Sequence, residues 1–552
     1  MLKKVFIPIA LTILAFSSIK AEEVTVTDAT INAGQTYNMT SNNTYILDGF
    51  VFVEDGAVLN IEAGTVIKAK QGEGESASAL VIAKGGKINA NGTKAKPIIF
   101  TSELDDVTDA EDLPIGRAGL WGGLIILGKS TINTPGGTEQ IEGIPSNEPR
   151  GSYGGNIEDD NSGTLKYVSI RHGGTNIGAN NEINGLTLGG VGSKTTIDYV
   201  EVYANSDDGV EFFGGTVNTK HMAIVMCEDD SFDWDEGYRG NGQFWFSIQS
   251  PTTGNNMGEN DGATDPEDSQ PYAMPMVYNA TYIGSGLSTA RTSSRGFHIR
   301  DNSGAYYKNC IITDLGGAGL EIEDLTDEAA EDSRKRLETN EIQITNNLWW
   351  NVGDNTLNGI APDVEGSKPY SQDFVRTYLG ANKNMIQDPM LAGISRTTDG
   401  GLDPRPNDGI AWTAERAAIP SGSTFFTDVN YIGAFGEENW LEGWTFLSQA
   451  GFLGNLVQLS VERDETVSNN ELYAYPNPVE SNVTIELNIT NNSLVNLELY
   501  NSIGNKVVNL DNTYLSTGKY SMDYNVESLS AGAYFIVLTT DYGTFTYQVI
   551  VK

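Results

Sequence analysis

The chain has 552 residues, with 62 glycines and only 18 prolines, and its 73 acidic against 34 basic residues give a formal net charge of −39. That length exceeds what one compact core usually holds. The charge excludes nucleic acid as a partner, because phosphates call for clustered Lys and Arg, and it suits a soluble extracellular protein, divalent cations or a saline medium.

Residues 1–21 read as a secretory signal. Lys3 and Lys4 form the basic start, Val5 to Phe16 is a short apolar run, and Ala21 is a cleavage point. The run is too short to span a membrane, and Pro8 weakens a helix there. No later segment approaches the roughly 18 apolar residues of a span. The lack of cysteine near the signal excludes a lipoprotein anchor.

From Val24 to about Thr101 the text is that of a solenoid. Thr44–Ala69 and Ala79–Ser102 alternate Val, Leu and Ile with polar residues, and Gly119–Ile132 resembles a further coil. Glu103–Pro114 and Asn133–Gly163 are acidic or glycine-rich insertions, expected to leave the coil as loops on one side. Thr164–Gly174 resumes the pattern, and Gly185–Gly190 follows.

The organising stretch comes next. DYVEVYANSDDGVEFFGG starts at Asp198, and KHMAIVMCEDDSFDWDEG repeats it 22 residues later from Lys220. A third copy, KNCIITDLGGAGLEIED from Lys308, lies 110 residues from the first, a multiple of 22. Apolar residues alternate within each copy: Val200, Val202, Val210, Phe212; Met222, Ile224, Phe232, Trp234; Cys310, Ile312, Leu320, Ile322. Alternation marks strands with one buried face. Two short strands cannot bury that face alone, whereas units stacked in register can. The fold class is therefore all-β: a right-handed parallel β-helix of roughly 20–25 residues per coil. The units are rich in β-branched and aromatic residues, glycine-broken, and lack a helical stripe.

Stacking has a chemical consequence. Equivalent residues lie about 4.8 Å apart, so Asp207 meets Asp229, Asp208 meets Asp230, and Glu211 meets Asp233. Val210 and Phe212 point inward, which turns Glu211 and Asp233 outward. Two carboxylates about 4 Å apart repel by around 4 kcal/mol at an effective dielectric near 20. A cation, an arginine, raised pKa values or splaying into solvent must relieve that. Of the two cysteines, Cys310 shares a column with Val200 and Met222 and reads as a buried thiol, while Cys227 aligns with the turn residue Asn205.

Further along, Phe244–Gln249 reads as a strand and Gly254–Pro271 as a polar loop carrying Glu259, Asp261, Asp265, Glu267 and Asp268. Asn279–Gly284 and Gly296–Arg300 re-enter the register. Asp324–Leu337 is the one good helical stretch. Asn346–Gly353 is one more coil, after which the repeat decays. The aromatic run Val429–Leu447 is expected to cap the open end of the solenoid. The organisation is then signal 1–21, β-helix 22–460, linker 461–471 and a small β-sandwich over 472–552, whose short alternating strands are separated by turns.

Two resemblances follow. YPNP at Tyr475–Pro478, LELYNSIGNKV from Leu497, LSAGAYFIVL from Leu529 and the terminal VIVK resemble the type A C-terminal sorting domain of the type IX secretion system of Bacteroidetes-type bacteria. Pro476, Asn477, Pro478, Gly504 and Gly532 carry the motif. The resemblance implies a Gram-negative source, two-step export through the type IX translocon, and release or attachment at the outer cell surface. The main domain, through DDGVEFFGGTV, DDSFDWDEGYRGNGQFWF and the YIGAFG…W…GWT ending, resembles right-handed parallel β-helix proteins of the same bacteria. That likeness is one of fold and assigns no activity.

Asp207, Asp208, Glu211, Asp229, Asp230, Asp233, Asp235 and Glu236 form the candidate site. Hard oxygen ligands from adjacent coils could hold Ca²⁺, although the spacing is not that of an EF-hand loop. The alternative is that Asp and Asn cap turns between strands. The outward column reads Thr187, Glu211, Asp233, His298, Glu321, with Arg239, Arg295 and Arg300 expected nearby. As an enzyme this would be a polysaccharide lyase or glycosidase acting on an acidic polysaccharide, with Glu211, Asp233, His298 and Arg300 as catalytic candidates. The NTD…DD…GHG…RIK set of polygalacturonases is missing; NSDDG is only a fragment of it. The reading preferred over catalysis is a non-catalytic glycan-binding, adhesive or scaffold module, with Tyr153, Tyr238 and Tyr272 as exposed aromatics on insert loops able to stack on sugars.

Overall fold

The computed structural model describes residues 22–454 and 471–552, apart from 146, 179–180, 264–265, 290, 326–331, 367–368, 480, 490–491, 502–505 and 541–542. The signal region and nearly all of the linker lie outside the described residues. The chain divides into two compact units, 1–454 and 455–552.

The first unit is a parallel β-helix. One face is a nine-stranded sheet in strict chain order: Phe50–Val53, Ala79–Ile82, Leu124–Leu127, Leu186–Gly189, Val210–Phe213, Phe232–Asp235, Asn256–Asn260, Arg295–Ile299 and Leu320–Ile322. All neighbours pair in parallel. The other two faces are linked into a nineteen-stranded sheet. The expected register holds: Val210 pairs with Phe232 and Glu211 with Asp233, and Val200 with Met222. The core is a stack of inward columns, with Phe232 lying flat on Trp245 at 4.2 Å between ring centroids and Phe297 on Tyr307 at 3.8 Å. Cys310 and Cys227 are both buried and free.

The corner between the other two faces is also a column. Tyr167, Tyr199, His221, Phe244, Asn279, Asn309 and Asn346 occupy equivalent places and all have positive φ, from 46° to 59°. A left-handed residue turns the strand through the corner while its neighbours stay in register. The first four are aromatic and stack, at 4.4, 4.1 and 5.0 Å. The last three are asparagines, the non-glycine residue most tolerant of this conformation.

Four expectations are corrected. The aromatic run 429–447 does not cap the open end. It lies along the side of the solenoid as a strap, its Phe435, Trp440, Trp444 and Phe446 buried against Tyr203, Val225, Phe246 and Ile283. The three corner asparagines hold the chain leading into it: Asn279 donates to Tyr431 O, Asn309 exchanges two hydrogen bonds with Ala417, and Asn346 donates to Glu415 O. Val375 and Leu379 of the amphipathic helix Asp373–Ala381 join the main core instead, beyond the last coils. The two insertions leave on different faces: Ala110 and Ala118 pack with the strap, whereas Ile132, Ile141, Ile144 and Tyr153 lie on the nine-stranded sheet. The long helix shrinks to Ser333–Glu338, where Asp332 caps the N-terminus through Lys335 N; residues 326–331 lie outside the described ones. Finally, Gly254–Pro271 is not all loop, because Asn256–Asn260 is a strand. Its inward residues are Gly258 and Asn260. Tyr307 from the next coils fills the space: its hydroxyl donates to Asn260 Oδ1 at 3.0 Å and would lie 2.8 Å from a Cβ at Gly258.

The second unit is a β-sandwich. A three-stranded antiparallel sheet (Glu471–Tyr475, Asn482–Ile489, Gly518–Asn525) faces a four-stranded one (Lys506–Leu515, Ser493–Asn501, Gly532–Thr540, Gly543–Val551) across a core that includes Ile485, Leu497, Ile536 and Val549.

Candidate functional site

The nine-stranded sheet carries one outward column from end to end: Phe52, Val81, Ile125, Thr187, Glu211, Asp233, Glu259, His298, Glu321. Its character changes at Thr187, from apolar to charged. The insertion after Ile132 covers the apolar part with Ile141, Ile144 and Tyr153, and it extends over the first acids.

This cover changes the electrostatics. Glu211 and Asp208 are only 8% and 7% exposed, so the outward carboxylates do not splay into solvent. Burial, followed by Glu142 of the insertion, pushes Glu211 well above the usual carboxylate range. Asp208 is raised too, by burial and then by Asp233 and Asp230, and Asp233 by burial and then by Glu211 and Asp261. One oxygen each from Asp208, Glu211 and Asp233 lie within 4.8 Å of one another, and Asp207, Asp208 and Asp229 make a second such group. Buried Asn184 donates to Glu211 through Nδ2, while its Oδ1 makes no hydrogen bond among the described residues; Asp233 Oδ1 is in the same state. Next to the cluster, burial holds Glu236 up at about 8, although Tyr153 donates to it at 2.7 Å.

The far half of the column is a mixed-charge array. His298 lies between two glutamates, 3.8 Å from Glu259 and 3.4 Å from Glu321. Burial favours the neutral ring, but the two carboxylates outweigh it and raise His298 to about 9. Arg300 forks onto Asp261 at 2.7 and 2.8 Å and reaches Glu259 at 3.0 Å, which holds it firmly charged. Arg295 stands 4.0 Å from Glu321, and the Tyr370 hydroxyl donates to the same glutamate at 2.8 Å.

The structure thus brings Asp208, Glu211 and Asp233 together, and His298 and Arg295 beside Glu321, with Arg300 on Glu259 and Asp261. Asp230 serves the backbone: it accepts the amide N–H and side chain of Asn256. Asp235 lies one place beyond the inward Trp234, beside Phe213, outside both three-oxygen groups. Arg239 pairs with Glu158 at 3.0 Å, away from the column. The aromatic expectation fails: Tyr153 and Tyr238 are 1% and 0% exposed, and half-buried Tyr272 lies under Arg336 at 4.1 Å. Tyr153 is apolar cover for the column, and Tyr238 stacks on Phe212 in the core.

Sequence reasoning missed Glu259, Glu142 and Asn184. Glu259 was hidden because its strand has glycine and asparagine where apolar residues would signal an inward face. Constancy of the column in neighbouring coils was the available signal. Glu142 arrives on an insertion without periodicity.

In the sandwich, Asn477 accepts from Ile550 N at 2.8 Å and donates to Gln548 O at 2.7 Å, so the Pro476–Asn477–Pro478 turn is tied to the last strand. Gly532 opens the strand Gly532–Thr540. Gly504 lies outside the described residues.

A family described as a pectate-lyase-like β-helix domain matches residues 30–382, and one described as a secretion system C-terminal sorting domain matches 473–552. No curated protein matches the chain.

Proposed function

The chain belongs to the pectate-lyase-like β-helix family, and on that premise we propose that its solenoid is a non-catalytic binding module for acidic polysaccharide, working at the acidic column with the help of a divalent cation. The sorting domain makes the protein a type IX cargo, secreted or on the outer surface, that engages the secretion machinery. Among the described residues, no helix is long and apolar enough to cross a membrane.

The observation that carries the reading is the state of the bases. His298 is held protonated between Glu259 and Glu321, and Arg300 is held charged by Asp261 and Glu259. A lyase needs a base that can take a proton, and a His298 that already carries one is not poised to do so. One oxygen each of Asp208, Glu211 and Asp233 crowd within 4.8 Å of one another, an arrangement that can close on a cation. Crowded, buried, hard oxygens with spare acceptors on Asp233 and Asn184 fit a cation such as Ca²⁺. A cation there would also bridge a polyanionic ligand to a chain of net charge −39.

A second reading, a polysaccharide lyase or glycosidase using Glu211, Asp233, His298 and Arg300, is favoured by the family match and the clustered acids. One experiment separates the two. The mature protein is incubated with neutral and acidic polysaccharides, with calcium or EDTA, and both retention and new reducing ends or unsaturated products are measured. Calcium-dependent retention of a uronate polymer without products is the expected result. Turnover would establish the enzyme, and no retention of any acidic polymer would remove the binding reading.

A further inference from the structure

A second site lies on the strap side of the solenoid, on a different face from the acidic column. The antiparallel hairpin of Leu391–Ile394 and Leu402–Pro406 leads into the short helix Ile410–Thr413, and the strap passes beside them. Between them is an open groove of about 490 Å³, within the size range of small-ligand sites. Its lining combines one aromatic with several polar side chains: Trp412, Asp403, Arg405, Asn407, Asp408 and Glu437.

The chemistry of that lining is specific. Trp412 is half-buried. Its indole N–H is committed to Pro406 O at 3.1 Å, and Tyr431 is packed against it at 5.4 Å between centroids. The ring is therefore a fixed apolar wall. Arg405 is fixed as well: Nε and Nη2 fork onto Asp403 at 2.8 and 2.7 Å, and Nη1 donates to Glu437 O at 2.9 Å. That pair is neutral overall, and guanidinium protons remain for a ligand oxygen. Asp408 and Glu437 have no cationic partner among the described residues, so the pocket is net negative. Asn407 adds an amide that can donate and accept.

We propose that this pocket binds a pyranose unit bearing an ammonium group, a hexosamine, with the sugar's C–H face on Trp412 and its ammonium and hydroxyl groups on Asp408, Glu437, Asn407 and Arg405. A cation is favoured by an aromatic wall backed by carboxylates. A uronate is rejected by the two uncompensated acids. The proposal rests on the reading of this solenoid as a carbohydrate binder, but not on the acidic column or its cation.

The test is calorimetric titration of the mature full-length protein with a glucosamine tetramer in EDTA, and in parallel with a galacturonate tetramer in calcium. Saturable binding of the glucosamine tetramer is expected, weakened at least tenfold by Trp412→Ala and by Asp408→Asn and unchanged by Glu211→Gln. Asp408 is exposed, so its variant tests the site without disturbing the packing of Trp412 on Tyr431. No saturable binding, or equal binding by Asp408→Asn, overturns the proposal. Equally tight binding of a lysine tetrapeptide overturns it too, by making the pocket a site for cationic peptides. Galacturonate binding with no glucosamine binding defeats only this pocket; the converse defeats only the acidic-column reading.

Discussion

At the scale of single residues, the acidic column is a balance between burial and neutralisation. Asp208, Glu211 and Asp233 titrate higher in the folded chain than in the unfolded one. A raised carboxyl favours the fold while it is protonated, and that stability is lost as pH rises from the unfolded value, about 4, through the folded one. His298, raised to about 9, acts in the same direction: its contribution is complete below the unfolded histidine value near 6.5 and gone above about 9. The β-helix should therefore melt at a lower temperature at pH 9 than at pH 6 in EDTA. His298→Gln should flatten the part of that slope between about 6.5 and 9. Calcium should raise the melting temperature most at the alkaline end, since a ligand of the folded state alone stabilises it. Glu211→Gln should raise the melting temperature in EDTA at pH 8 and abolish the calcium response. A calcium shift of equal size in that variant would place the cation elsewhere.

At the scale of elements, the strap depends on the corner ladder. Asn309 gives and takes a hydrogen bond with Ala417, at 2.9 and 2.7 Å, and holds a φ of 58°. Asn309→Gly relieves the backbone demand and removes both bonds, so its cost isolates them: about 1–3 kcal/mol by urea denaturation. Asn309→Ala should cost about 1 kcal/mol more, from the left-handed conformation. Equal losses would mean that the turn, not the strap, fixes this residue. The ladder also shows what a sequence discloses. The repeat at Asp198 and Lys220 gave the coil length, register and column neighbours, because each rests on apolar alternation within one stretch of chain. The place of the strap was illegible: nothing local in Val429–Leu447 distinguishes an end cap from a side strap, since both are aromatic and buried. The insertion over Glu211 was illegible for the same reason, and with it the burial that sets the character of the site. Asn279, Asn309 and Asn346 share one register position, which was visible in retrospect but not tied to any distant partner.

At the scale of the molecule, the two units do different work. The solenoid presents its columns, and the sandwich directs export. Their separation as compact units predicts that damage to one spares the other. Asn477 is the sharpest place to test this. Its side chain brackets the last strand through Gln548 and Ile550, and the next residues continue the connection: Val479 N donates to Ile550 O, and Lys552 N to Val479 O. The opening of the sandwich and its last strand thus form one surface. Asn477→Ala should cost the sandwich about 1–2 kcal/mol through its two exposed hydrogen bonds, while the melting of the β-helix is unchanged. In cells, deleting residues 472–552 should leave the protein in the periplasm, seen by fractionation and immunoblotting. Asn477→Ala should shift a part of it there. If the deleted chain still reached the surface or medium in normal amount, its export would not depend on this domain. If Asn477→Ala lowered the melting of both units together, they would not be independent folding units.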